Sequence, residues 1–301
     1  MKPNFIIAGV AKCGTTSLSE YLEQHPQVCI PKKETFYFIR DLYEQEPVDP
    51  RGRRKAEQII RNSSDYYQLY SKCHTPFLGE VSTCYLYYHK KAIPAILKEL
   101  GDIPVAIIIR QPVKRLISGY RHFIRLQRED KPLSEALQLE KERAASRWDF
   151  MWQYRDLGLY AEGIKAYQQH FSKVKVILQD DLTKSPVSVM QDLFRFFGMD
   201  DSFVPDTSVK YNISDSQSNN FWFRYIFQNE KVKKVLKPVA NIFMDERKRR
   251  KFIHRFRKSA VKTEEKFELA PQLIEELNNY YHQDILETQK LTGLDLSHWL
   301  K

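Results

Sequence analysis

Lys12 stands in a loop bounded by Gly9 and Gly14, and Thr15, Thr16 and Ser17 follow at once. A lysine gathered with backbone N–H groups and hydroxyls at a helix start makes a cradle for phosphate or sulfate. A second anion-binding set is Arg110 with Ser118, eight residues further on. A guanidinium fork plus a hydroxyl suits a phosphate monoester dianion. Glu34 is the third candidate, a lone acid set between Lys32-Lys33 and the aromatic run Phe36-Tyr37-Phe38. A neighbouring cation keeps a carboxylate ionised, while burial against aromatics raises its proton affinity, and a partly buried base needs both influences. The same residues also suit a plainer reading, with Phe36 and Phe38 in the core and Glu34 a surface partner of Lys33.

The elements that must position these groups are legible as hydrophobic patterns. Phe5 to Ala8 is an apolar run suited to a strand buried on both faces. Leu18, Tyr21 and Leu22 then fall on one helical face, so the Lys12 loop feeds a helix N-terminus. Val105 to Ile109 is the strongest strand signal, and it ends at Arg110, the edge where open α/β sheets bind ligands. Pro112 opens a helix carrying Leu116, Tyr120 and Phe123 on one face, which puts Ser118 two turns along it. Further strands and helices are expected at Val174–Leu178, at Val189–Phe197 with Gly198 as its cap, and at Pro271–Thr292. A single polar amphipathic helix is expected over Leu133–Arg147. Residues 40–75 are rich in charge and tyrosine, with Pro47, Pro50 and Gly52 marking a loop before a weak helix. They suit a variable insertion facing an acceptor, where Arg51, Arg53, Arg54 and Lys55 could bind an anionic substrate but read first as a solvated charge run.

The glycine spacing of the Lys12 loop matches the phosphate loop G-x-x-x-x-G-K-[ST], but Thr15 fills the lysine place. With Lys12 at the crown of the loop instead, the stretch resembles the 5′-phosphosulfate loop of sulfotransferases that use 3′-phosphoadenosine 5′-phosphosulfate (PAPS). Arg110 and Ser118 after a buried strand are similar to the 3′-phosphate motif of the same family. His25-Pro26 followed by Glu34 and Phe36 resembles the carbohydrate (heparan-type) members, and the pattern is close to bacterial sulfotransferases too. The resemblance covers nearly the whole chain. It implies a three-layer, P-loop-like α/β fold with a central parallel sheet flanked by helices, in a single domain spanning 1–301. It implies that Lys12, Cys13, Gly14, Thr15, Thr16 and Ser17 hold the 5′ end of the donor and Arg110 and Ser118 the 3′-phosphate. Glu34 would be the base and Lys12 the catalytic cation, with PAPS as donor, PAP as product and a carbohydrate hydroxyl (or an amine) as acceptor. Gly79-Glu80-Val81 resembles a family segment in which a lysine often follows the glutamate; Val81 fills that place here, and Glu80 is the reserve base. A P-loop nucleotide kinase is the rival reading, weakened by Thr15 and by Arg110 where Mg²⁺ chemistry wants an aspartate.

The chain of 301 residues carries a net charge of +10. Between Lys231 and Lys258 stand twelve Lys or Arg against Asp245 and Glu246, so this one segment accounts for the whole excess. An acidic glycan partner, a membrane surface or a solvated helix would each suit it, as would a non-enzymatic anionic-polymer module; nucleic acid is not expected. Lys210 and Asn212, in a polar stretch from Val209 to Asn220, weakly resemble a loop that closes over the nucleotide. No apolar run approaches the ~20 residues of a membrane span, and the strand beginning at Phe5 leaves no room for a leader, so a cytoplasmic location is expected. Cys13, Cys29, Cys73 and Cys84 show no paired or metal-ligand spacing, which predicts reduced, mostly buried thiols and no metal. Cys13 beside Lys12 is the exception, since a helix N-terminus could lower its pKa.

Overall fold

The computed structural model describes residues 1–45, 47–50, 57–208 and 269–300. Five strands make one sheet, in the order β2–β3–β1–β4–β5: β1 Phe5–Ile7, β2 Val28–Cys29, β3 Phe77–Val81, β4 Val105–Ile109 and β5 Val174–Leu178. Every neighbouring pair is parallel, with Ile6 opposite both Glu80 and Val105 and Ile109 opposite Leu178. Such a sheet needs cover on both faces, and β1 and β4 are accordingly apolar and fully buried throughout. The covering helices are α1 Thr15–Leu22, α2 Ser63–Gln68, α3 His89–Leu100, α4 Pro112–Arg125, α5 Leu133–Gln138, α6 Glu140–Ala145, α7 Ala161–His170, α8 Gln179–Lys184, α9 Pro186–Phe197 and α10 Pro271–Thr292. α3, α4, α7 and α10 pack on one another, and α1, α8 and α9 form a second group.

The strand β3 was not among the patterns read from the sequence. Its fourth residue is Glu80, a carboxylate that an apolar-run criterion rejects. Five hydroxyls make the burial tolerable: Thr35, Ser82 and Tyr85 donate to Oε1 and Tyr66 and Tyr70 to Oε2, at 2.7–3.2 Å. A buried polar group so saturated costs little. Tyr66 comes from α2 and Tyr70 from the turn after it, which makes that part of the 40–75 segment a core element.

Two expectations need correction. Leu133–Arg147 is two short helices, broken at Leu139. The second helix turns polar side chains inward: Glu140 binds Arg155 at 2.7 Å, and Arg143 makes a bidentate pair with buried Glu129 at 2.6 and 3.0 Å. The cysteines are not all reduced either, because Cys29 and Cys73 form a disulfide with a Cα–Cα distance of 5.9 Å. One lies on β2 and the other just after α2, 44 residues on, so only the tertiary fold brings them together. Cys13 and Cys84 are free thiols, both buried. Among the described residues, no helix is long and apolar enough to cross a membrane. Arg51, Arg53, Arg54, Lys55, Lys210, Asn212 and the basic segment 231–258 lie outside the described residues.

Candidate active site

The Lys12 loop leaves β1 and stays bonded to the sheet. Val10 N donates to Ile108 O at 2.9 Å and Ile108 N donates to Gly9 O at 3.1 Å, so the loop runs along the carboxyl end of β4. Lys12 then adopts φ 72° and Gly14 φ 92°, left-handed values that turn the chain into α1. Glycine takes that conformation freely; lysine takes it at a cost of about 1 kcal/mol, a strain characteristic of functional loops. Gly14 offers no side-chain cap, and the first turn of α1 contains no acid. The first turn of α1, Thr15 to Ser17, presents the positive end of the helix dipole toward this loop.

Arg110 ends β4 and reaches back to this loop, with Nη1 donating to the Lys12 carbonyl at 3.4 Å. The arginine's Nε is buried with no hydrogen-bond partner. Its own carbonyl accepts from the Tyr160 hydroxyl at 2.8 Å, and Asp284 on α10 accepts from Tyr160 N and Ala161 N at 2.8 and 3.0 Å. Ser118 lies buried on α4, three residues beyond buried Arg115 and seven before Arg125, all on one stripe of the helix. Burial, then the charges of Arg125, Arg110 and Arg115, lower the Lys12 pKa to about 8. Arg115 and Arg125 therefore lie near enough to act on the Lys12 charge, a contribution that motif reading missed. Their helical spacing from Ser118 was the available signal.

Cys13 departs from expectation. Its sulfur is buried 3.9 Å from the Tyr160 hydroxyl, and desolvation pushes the thiol up to about 11, overriding the charges of Arg115 and Arg110. A thiol so buried stays protonated near neutral pH, which argues against a nucleophilic role.

Glu34 is tied to the carboxyl end of β3. Its N–H donates to Val81 O at 2.8 Å, and its carboxylate accepts from Thr83 N at 3.4 Å and Thr83 Oγ1 at 3.2 Å. The residue is half-buried and, like Lys12, left-handed, with φ 58°. Phe36 and Phe38 beside it are core residues. Lys33 extends the other way, with Nζ 3.4 Å from the Thr15 carbonyl at the first turn of α1. Glu80 is sealed inside its five hydroxyls with no exposed surface, which leaves it no route to an acceptor. Burial raises its pKa, and its hydrogen bonds oppose the rise. His25 is a structural residue, its ring bonded to Asp200 O at 2.9 Å and packed against Phe194 and Phe203. Lys12, the α1 first turn and Arg110 thus meet at the carboxyl edge of β1 and β4, with Glu34 tied in beside them from β3. The unpartnered Arg110 Nε and the crowded Lys12 ammonium would both gain from negative charge placed beside them. Among the described residues, no group of three His, Cys, Asp or Glu side chains is placed to hold a metal ion.

Comparison with known proteins places these features. The model of the Sulfotransferase family matches residues 3–203. A sulfotransferase from Alicyclobacillus acidocaldarius has a crystal structure that superposes over the full length of both chains, at 30% identity and a TM-score of 0.78. Heparan sulfate glucosamine 3-O-sulfotransferase 3A1 of Mus musculus is 26% identical over 200 residues, which is 65% of this chain and 46% of that protein. Bifunctional heparan sulfate N-deacetylase/N-sulfotransferase 3 of Mus musculus is 26% identical over 238 residues, 73% of this chain and 24% of that protein. The chain spans less than half the length of these curated relatives.

Proposed function

The chain belongs to the sulfotransferase family, and from that premise we propose that it moves a sulfuryl group from PAPS to an acceptor hydroxyl or amine, with a carbohydrate hydroxyl favoured. The observation that carries the reading is the bond from Arg110 to the Lys12 carbonyl, which joins two cationic grips at one hollow. Bound there, PAPS supplies a sulfuryl group whose bond to the 5′-phosphate oxygen breaks, leaving the electron pair on that oxygen, as a bond to the acceptor forms. Lys12 and the α1 first turn stabilise the charge that grows on the phosphate oxygen. Arg110 and Ser118 hold the 3′-phosphate and so fix the donor's orientation. Glu34, steered by Thr83, takes the acceptor's proton. The heparan sulfate activities named for the relatives above support a sugar acceptor.

Calorimetry with PAP tests the donor site. Wild type should bind PAP at least about tenfold more tightly than ADP, and Arg110→Ala should abolish most of that preference, as loss of a charged hydrogen bond costs about 1.5–3 kcal/mol. Glu34→Gln should keep PAP affinity and lose transfer. Equal affinity for ADP and PAP in the wild type would overturn the reading in favour of a nucleotide kinase.

A further inference from the structure

A carboxylate base must approach an anionic sulfuryl group during transfer, and the two repel unless a cation stands between them. The arginines gathered around Lys12 do not meet this need, because Arg110, Arg115 and Arg125 belong to β4 and α4. The Glu34 side of the hollow is supplied by a different element. Lys33 is the residue next to Glu34, yet the two side chains diverge: Glu34 turns to Thr83, while Lys33 carries its ammonium to within 3.4 Å of the Thr15 carbonyl. The backbone fixes this divergence. Lys33 pairs in parallel with Val81, and the next N–H, that of Glu34, donates to the Val81 carbonyl at 2.8 Å. Glu34 then takes its left-handed φ, which swings the chain away beyond it. A lysine held half-buried at the first turn of α1, one residue from the base, bridges the base strand and the phosphosulfate helix.

We infer that Lys33 is a second catalytic cation, one that contacts the sulfuryl oxygens from the acceptor side while Lys12 serves the phosphate side. The inference rests on the PAPS reading of the site. Lys33 screens Glu34 from the anion it approaches and draws charge from the sulfuryl oxygens as the acceptor closes in. The Thr15 carbonyl serves as its resting partner and keeps the ammonium at the helix mouth.

PAP and PAPS differ only in the sulfuryl group, so they separate this role from a tether that merely holds α1. With Lys33→Met, PAP should bind within about twofold of wild type, while PAPS, measured by competition against PAP, should bind about tenfold or more weakly. The acceptor-independent hydrolysis of PAPS to PAP and sulfate should slow about a hundredfold. Lys33→Arg should restore most of the PAPS preference, and its thermal melt against Lys33→Met guards against reading a folding defect as chemistry. Parallel weakening of PAP and PAPS would reduce Lys33 to a structural tether and overturn the inference. So would unchanged PAPS affinity in Lys33→Met. A wild-type protein that binds neither ligand would instead refute the donor assignment itself, before any lysine variant is compared.

Discussion

Lys12 is the residue through which pH acts most directly on the proposed donor site. Burial and three guanidinium neighbours bring its free-state pKa to about 8, and the phosphates of a bound ligand raise it again. The sign follows from the charged form being the binding form. Affinity for PAP should be level between about pH 7 and 8, then fall by up to roughly tenfold per unit as the pH rises further. Binding near pH 8 should also take up part of a proton, seen as a dependence of the calorimetric heat on buffer ionisation enthalpy. Lys12→Arg, which stays protonated, should flatten both effects even if it weakens binding. Lys12 and Arg110 could be singled out as candidates because a glycine-bounded loop holds the one and a buried strand leads to the other, whereas Glu34 was reached as the base only through the family resemblance. The environment of Cys13 was not legible in the sequence. A helix N-terminus argues for an acidic thiol, and only the fold reveals the burial that reverses the shift.

Among the elements, β1, β4, β5 and α10 could be drawn from hydrophobic pattern alone, since each is an uninterrupted apolar or amphipathic run. The strand β3 could not. Gly79 and Glu80 interrupt it, and what makes it a strand comes from elsewhere: the hydroxyls around Glu80 and the ring of Phe5 over Gly79. A Cβ on Gly79 would lie 2.4 Å from Phe5 Cζ and 2.8 Å from Ile30 Cγ1. Gly79→Ala should therefore cost about 1–3 kcal/mol in chemical denaturation, the range for overpacking a filled core. PAP affinity of the folded fraction should be nearly unchanged, because the clash lies at the middle of β3, two residues before Val81 where the base strand attaches. The break at Leu139 was hidden for a related reason. Helical periodicity reports which residues are polar, and it is silent on whether Glu140 and Arg143 face water or buried partners.

At the scale of the whole molecule, the Cys29–Cys73 bond closes a loop of 44 residues around β2, α2 and the segment between them. Chain-entropy arguments assign such a closure about 3–4 kcal/mol. Thiol titration of the unfolded, unreduced protein should find two reactive cysteines, Cys13 and Cys84, and four after reduction; reduction should also lower the denaturation midpoint. A thiol-rich cytoplasm would hold the pair open, so the same titration on freshly isolated protein bears on where the enzyme works. The Tyr160 link has a separate implication for anyone shortening the chain. Asp284 grips the backbone at Tyr160 from 124 residues downstream, and the Tyr160 hydroxyl in turn steadies the strand end that bears Arg110. A version cut ahead of Pro271 would keep Lys12, Glu34, Arg110 and Ser118 and still present Arg110 on an unbraced support.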